Sequence, residues 1–232
     1  MSSAYHHKVK QAINFLKESV LGGELKVTLA FSHQNEDAIT ISLAKKAGIS
    51  FSVFTLDTYK LFEESLAYQK EIEKFFGIEI KPFSANNEAI RTLEEKVGEY
   101  GIFDSVELRK ECCRVRKLVP LKNALSGYDA WISGIRIAQS ITRNETKLLE
   151  HDKIFHLLKL NPIALFSDAD VERYIKENTI PSNSLYAKGF KSIGCQPCSR
   201  AIQEGEDIRA GRWWWENPEH KECGLHVKKE IK

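Results

Sequence analysis

The 232-residue chain lacks the marks of several broad protein classes. It has no polybasic arm, since 34 Lys and Arg stand against 32 Asp and Glu for a net charge of +2. Bulk electrostatics therefore give no reason to expect nucleic acid or a membrane surface as a partner. No apolar run approaches the ~18 residues of a membrane span. The opening stretch, Met1 to His7, is polar and carries no apolar signal segment. Cysteine is scarce: five residues in a chain of this size do not make a disulfide framework. There is no internal repeat and no low-complexity linker. These absences point to a cytoplasmic globular protein whose thiols act as ligands or as a nucleophile.

Hydrophobic residues make up 42% of the chain and charged residues 28%, ordinary proportions for a folded domain. Val9, Ala12, Ile13, Leu16 and Val20 lie at helical spacing, and Gly22-Gly23 ends that helix. Leu25 to Phe31 reads as a buried strand, and Ser32 to Asn35 as a polar turn. Glu36 to Ala47 reads as a helix with Gly48 as its left-handed stop. A second strand, Phe51 to Leu56, ends at Asp57-Thr58. A helix from Leu61 to Phe76 stops at Gly77, and Ile78-Glu79-Ile80 forms a third strand closed by Pro82. Asp129 to Gly134 reads as a further strand. Ser167 to Asp170 reads as a capping box opening a helix that ends before Pro181. The pattern β-α-β-α-β predicts a mostly parallel sheet with crossover helices. Ligands of such sheets sit at the carboxyl ends of strands, so Ser32–Glu36 and Asp57–Lys60 are the candidate ligand loops.

Four of the five cysteines fall in two pairs, Cys112-Cys113 and Cys195-Gln196-Pro197-Cys198. Two separated thiolate pairs suit a tetrahedral metal ion or an iron–sulfur cube. Neighbouring side chains on a helix point about 100° apart, which is awkward for one small ion. A cube offers them separate corners, so a [4Fe–4S] cluster is expected over zinc. A thioredoxin-like redox pair at Cys195 and Cys198 is the other reading, although that motif opens a helix early in its domain. Arg114, Arg116 and Lys117 follow the tandem cysteines and can face an anionic cluster and an anionic substrate alike. Arg209 and Arg212 sit three apart, and Arg136 and Arg143 flank Gln139-Ser140; both are candidate oxyanion sites. Trp213-Trp214-Trp215 suits a lid or a base-stacking surface. The lone Cys223, with His226 three residues on, suits a nucleophile whose pKa is lowered by Arg209, Arg212 or His226.

Together these stretches resemble the iron–sulfur-containing, thioredoxin-dependent assimilatory adenylyl-sulfate (APS) reductases of the APS/PAPS reductase family. The resemblance rests on Cys112-Cys113 with Arg116-Lys117 and Pro120-Leu121-Lys122, on Gln139 to Arg143, and on Ser192 to Cys198. It continues through Gly205-Glu206-Asp207 and Arg209 to Trp214, and closes with Glu222 to His226. It implies an α/β fold of the PP-loop, adenine-nucleotide α-hydrolase-like type, with helices on both faces of the sheet. Residues 1–200 would form one nucleotide- and cluster-binding domain, and 201–232 a mobile C-terminal segment carrying the nucleophile. Ser32, Glu36 and Asp37 would mark the modified phosphate loop, and Leu56 and Gly134 would lie against adenine through their backbone. Lys117, Arg136, Arg143, Arg209 and Arg212 would surround the phosphate and sulfate. Cys112, Cys113, Cys195 and Cys198 would ligate [4Fe–4S], while Cys223, Lys117 and His226 would be catalytic. The implied reaction reduces APS to sulfite and AMP, with thioredoxin as electron donor and a homo-oligomer as the working form. A reductase of PAPS, or of both nucleotides, is the nearest alternative, and a zinc-stabilised nucleotide-binding module a more distant one. An ATP pyrophosphatase or tRNA-thiolation enzyme would need a Ser-Gly-Gly-x-Asp-Ser loop that is absent. The chain departs from its relatives at His33-Gln34-Asn35, where most have a Gly-containing turn. It departs again at Tyr59, where Gly is frequent, and at Ile137, where a second Arg is frequent.

Overall fold

Alternating strands and helices build the sheet from its centre outward. The computed structural model describes residues 2–98, 100–140, 143–217 and 221. β1 (Val27–Phe31), β2 (Phe51–Leu56) and β3 (Ile80–Phe83) are parallel, joined by α2 (Asn35–Ala47) and α3 (Glu63–Phe76). The two helices stop at Gly48 and Gly77, at φ of 69° and 62°, where a residue without a Cβ closes the last turn without strain. β4 (Ala130–Ile132) pairs with the other side of β1, followed by β6 (Leu157–Leu160) and, antiparallel to it, β5 (Leu149–Asp152). The order is β3-β2-β1-β4-β6-β5.

Two details differ from the expected strands. Ile78 still belongs to the turn after α3, its N–H bonded to the Glu73 carbonyl. Pro82 lies inside β3 instead of closing it. β3 is an edge strand, so the missing N–H breaks no ladder on its open side. The β5–β6 hairpin is short and half-exposed in places, which blurs the apolar signal in the sequence.

Both faces of the sheet are covered. Val27, Leu29, Phe31, Val53 and Ile132 pack against Leu16 of α1 (Ser2–Leu21), Ile39 and Leu43 of α2 and Ile72 of α3. On the other face Phe54 and Trp131 meet Leu121, Ala124 and Leu125 of α6 (Val119–Leu125). Burying each such side chain stabilises the fold by about 1.5–3 kcal/mol. A third cluster lies beyond the sheet. It holds Leu93 and Val97 of α4 (Asn87–Val97), Cys113 at the end of α5 (Val106–Cys113), Cys195, Cys198 and Trp213. Among the described residues no helix is long and apolar enough to cross a membrane.

β1 sends its crossover toward β2 on one side while β4 lies on the other. The strand order therefore reverses at the carboxyl ends of β1 and β4, where an open α/β sheet leaves a crevice.

Candidate functional site

A pocket of about 160 Å³ opens in that crevice. Its walls include Ser32, Asp37, Leu56, Lys117, Gly134, Arg143, Arg209 and Arg212, eight of the residues expected to bind substrate or act on it. The loop after β1 is held by Asp37, whose Oδ2 accepts from the Ser32 N–H at 2.6 Å and the Ser32 hydroxyl at 2.8 Å. Burial lifts the Asp37 pKa to about 7, although its bonds to Ser32 and Gln34 pull it down. Gly134 faces this anchor closely: a Cβ there would lie 2.7 Å from Asp37 Oδ1 and 2.9 Å from Glu36 Cβ. Only a glycine admits that approach.

The departures at His33 and Tyr59 share one backbone feature. Both residues are left-handed, at φ of 66° and 57°, a conformation that costs a non-glycine residue about 1–2 kcal/mol. His33 is held there by its ring and its carbonyl, which meet Gln69 Oε1 at 3.2 Å and Asn183 Nδ2 at 3.1 Å. Burial pushes the His33 pKa down. Tyr59 bonds its N–H to Asp57 and its hydroxyl to Ser84.

Glu36 and Arg136 are the two expected contacts that the structure keeps out of the pocket lining. Arg136 donates through Nε and Nη2 to Glu36 Oε1 at 3.1 and 2.8 Å, and through Nη2 to Asp168 at 2.7 Å. Its Nη1 bonds the Phe166 carbonyl. An arginine buried beside two carboxylates spends its donors on them. Of the pair expected as an anion site, Arg143 lines the pocket and Arg136 does not; the Arg143 Nη1 donates to Gln139 Oε1.

The remaining cations come from two elements. α5 runs on through a π-helical turn, Arg114–Leu118, directly after the tandem cysteines. π turns are rare and frequent at functional sites. Here Arg114 stays exposed, paired with Glu111, while Arg116 and Lys117 are buried. Arg116 donates to the Thr58 carbonyl at 2.9 Å and to Glu94 at 2.8 Å. Further along the chain, Arg212 donates to Ser199 Oγ at 3.1 Å and lies across Gly194, whose missing side chain makes its room.

A second cavity, about 690 Å³, adjoins the first. All four paired cysteines line it, and Lys117 and Cys195 line both cavities. The Cys195 thiol bonds the Thr58 hydroxyl at 3.2 Å. Burial alone would raise Cys195, yet Lys117, Thr58 and Arg212 hold it below its ordinary value. Burial and the neighbouring Cys195 push Cys198 up to about 11 and raise Cys112 as well. Among the described residues no three His, Cys, Asp or Glu side chains are gathered around one ion-sized point.

Cys223 and His226 lie outside the described residues. Lys221 is described: its carbonyl accepts from Arg209 Nη2 at 2.8 Å, and its ammonium donates to the Ala210 carbonyl at 3.4 Å. Thr58, within the expected ligand loop Asp57–Lys60, carries the Cys195 bond. One residue that no pattern singles out also shapes the site: Arg109 lines the cysteine cavity, and an arginine on a helix is commonplace in sequence.

The family model of the phosphoadenosine phosphosulfate reductase domain matches residues 26–201. The adenosine 5'-phosphosulfate reductase of Allochromatium vinosum is 44% identical over 200 residues, 86% of this chain and 78% of that one. That of Neisseria meningitidis serogroup A is 43% identical over 208 residues, 89% and 85% of the two chains. Among solved structures, the phosphoadenylyl-sulfate reductase of Candida auris in its phosphate complex superposes with a TM-score of 0.69. It is 18% identical and covers 87% of this chain and 98% of that one. The NMN synthetase of Francisella tularensis gives a TM-score of 0.56 at 14% identity, over 76% and 71%. These last two likenesses are of fold.

Proposed function

We propose, since this chain belongs to the phosphoadenosine phosphosulfate reductase domain family, that it reduces adenosine 5'-phosphosulfate to sulfite and AMP in sulfate assimilation. The observation that carries this reading is the common wall of the two cavities. A cation-lined crevice at the nucleotide position of the sheet meets a chamber lined by four cysteines, and Lys117 and Cys195 belong to both.

In this reading Cys112, Cys113, Cys195 and Cys198 would hold a [4Fe–4S] cluster. The donor set fits: four thiols from two elements surround one chamber without meeting at a point, and a cube spaces its ligands wider than a single ion does. By resemblance the cluster would supply negative charge beside Lys117 and undergo no net redox turnover.

The reacting thiol is Cys223. Its thiolate attacks the sulfur of the bound sulfate group; the bond from that sulfur to the bridging phosphate oxygen breaks, and AMP leaves with the electron pair. Cys223 keeps a thiosulfonate, Cys–S–SO₃⁻. A thioredoxin thiolate then attacks the Cys223 sulfur and expels sulfite, and the second thioredoxin thiol resolves the mixed disulfide, supplying two electrons overall. The anchored position of Lys221 supports this assignment. Lys221, two residues before Cys223 in the sequence, bonds Arg209, a residue of the pocket wall.

Thiolate, sulfate and phosphate repel one another. Two unit charges 4 Å apart cost about 4 kcal/mol in a partly buried site. Lys117, Arg143, Arg209 and Arg212 offset that repulsion, and they do so most where charge builds on the leaving phosphate.

The test is anaerobic sulfite release from APS with thioredoxin, with iron measured on the same sample. Cys223→Ser should bind APS and form no sulfo-adduct by mass spectrometry. An adduct in that variant would remove Cys223 from the mechanism.

A further inference from the structure

One buried side chain outside the assigned set touches the walls of both cavities. Arg109, on α5, is 0% exposed. Its Nε and Nη2 donate to the two carboxylate oxygens of Glu216 at 2.8 and 2.6 Å, a bidentate fork. It also bonds the side chain of Cys113, and its guanidinium stacks on the Trp213 ring, 4.7 Å from the centroid. The same indole carries the Arg212 guanidinium at 4.6 Å. Trp213 is buried, sits at a φ of 42° and lines the substrate pocket, while Arg109 lines the cysteine cavity. A continuous stack therefore runs from Cys113 through Arg109 and Trp213 to Arg212.

We propose that Arg109 is a positioning residue for Arg212: clamped by Glu216, it fixes the Trp213 indole against which the substrate-facing guanidinium is held. The inference rests on the reading of Arg212 as a cation for the sulfate or phosphate of APS. Its physical basis is local. A left-handed tryptophan is strained and keeps its place only if its surroundings over-determine it. Arg209 also lies over this ring, farther out at 5.9 Å; guanidiniums gathered on one indole repel, and Glu216 neutralises Arg109, one of the two nearest. The Glu216 N–H bonds the Trp213 carbonyl at 2.8 Å, so the clamp and the indole belong to one turn. A lysine at position 109 keeps the charge but has no planar fork that bonds two oxygens and stacks at once.

The test uses the iron-loaded full chain in a Cys223→Ser background, so that APS binds without turning over. R109K, R212K and the double variant are compared by calorimetric titration with APS. Hydrogen exchange at residues 211–216 and iron content are read on the same samples. R109K is expected to weaken APS about tenfold, the scale of coupling between touching residues. It should quicken exchange at 211–216, keep its iron, and add no further loss in the R212K background. The proposal is overturned if R109K binds APS as the parent does, or if the two losses multiply independently. It is also overturned if affinity falls only together with iron, which would place the action of Arg109 at the cysteines. If the parent itself does not bind APS, the functional reading fails, and exchange alone then decides the clamp: unchanged exchange overturns it and faster exchange upholds it. Should R109K not fold, E216Q, which leaves the stack and one acceptor oxygen, carries the same comparison.

Discussion

Replacing Gly194 by alanine tests how tightly the pocket wall holds its cation. A Cβ at 194 would lie 1.7 Å from Arg212 Nη1, 2.3 Å from Cζ and 2.4 Å from Nη2. The guanidinium cannot share that space and must leave. Leaving costs its charged hydrogen bond to Ser199, worth about 1.5–3 kcal/mol, and its stack on Trp213, worth about 0.5–2 kcal/mol. Together that is about 2–5 kcal/mol of local stability. If Arg212 also grips the anionic end of the substrate by one charged bond, affinity falls by about 10- to 150-fold. The assay is calorimetric titration of APS into Cys223→Ser protein with and without Gly194→Ala, beside thermal melts of both. Gly205→Ala is the control: at φ 87° with no atom within 4 Å of the added Cβ, it carries backbone strain alone and should leave affinity unchanged. Affinity in Gly194→Ala within about threefold of the parent, or equal losses at both glycines, would refute the reasoning.

Two further outcomes follow from the loops. Burial lifts the Asp37 pKa from 3.8 to about 7, so the folded chain binds that proton more tightly than the unfolded chain. Between about pH 4 and pH 7 the contribution of Asp37 to stability therefore falls as pH rises. Asp37→Asn should remove that slope in urea unfolding measured across the window, and identical slopes in parent and variant would disprove it. Tyr59→Gly relieves a left-handed backbone worth about 1–2 kcal/mol against a glycine entropy cost of about 0.5–1 kcal/mol. Despite losing an aromatic ring, it should stay within about 1 kcal/mol of the parent by the same unfolding assay; a drop beyond twice that amount counts against the strain argument.

The sheet was legible because its signals are local. Buried runs such as Val27–Phe31, glycines at 48 and 77, and the period of α1 each depend on a few adjacent residues. The β5–β6 hairpin was not, because strands that short and partly exposed carry little apolar alternation. Among the candidate substrate contacts, Ser32 and Gly134 lie on the loops after β1 and β4, Leu56 ends β2, Asp37 is in the first turn of α2, Lys117 is on the π turn, and Arg143, Arg209 and Arg212 come from later segments. The two substrate contacts that do not line it, Glu36 and Arg136, find each other across 100 residues of sequence, and no spacing rule announces such a partner.

By itself the sequence determined the alternating α/β plan, the strand ends where a ligand can sit, and the supply of thiols and cations. Each of these follows from hydrophobic periodicity and side-chain chemistry, which are properties of neighbours in the chain. Only the tertiary structure decided which charges face the crevice and which are consumed in ion pairs. It alone set Lys117 and Cys195 in a wall shared by two cavities, and Arg109 beneath Trp213. Those outcomes depend on packing between segments far apart in sequence, where burial makes an unpaired charge costly and so dictates its partner.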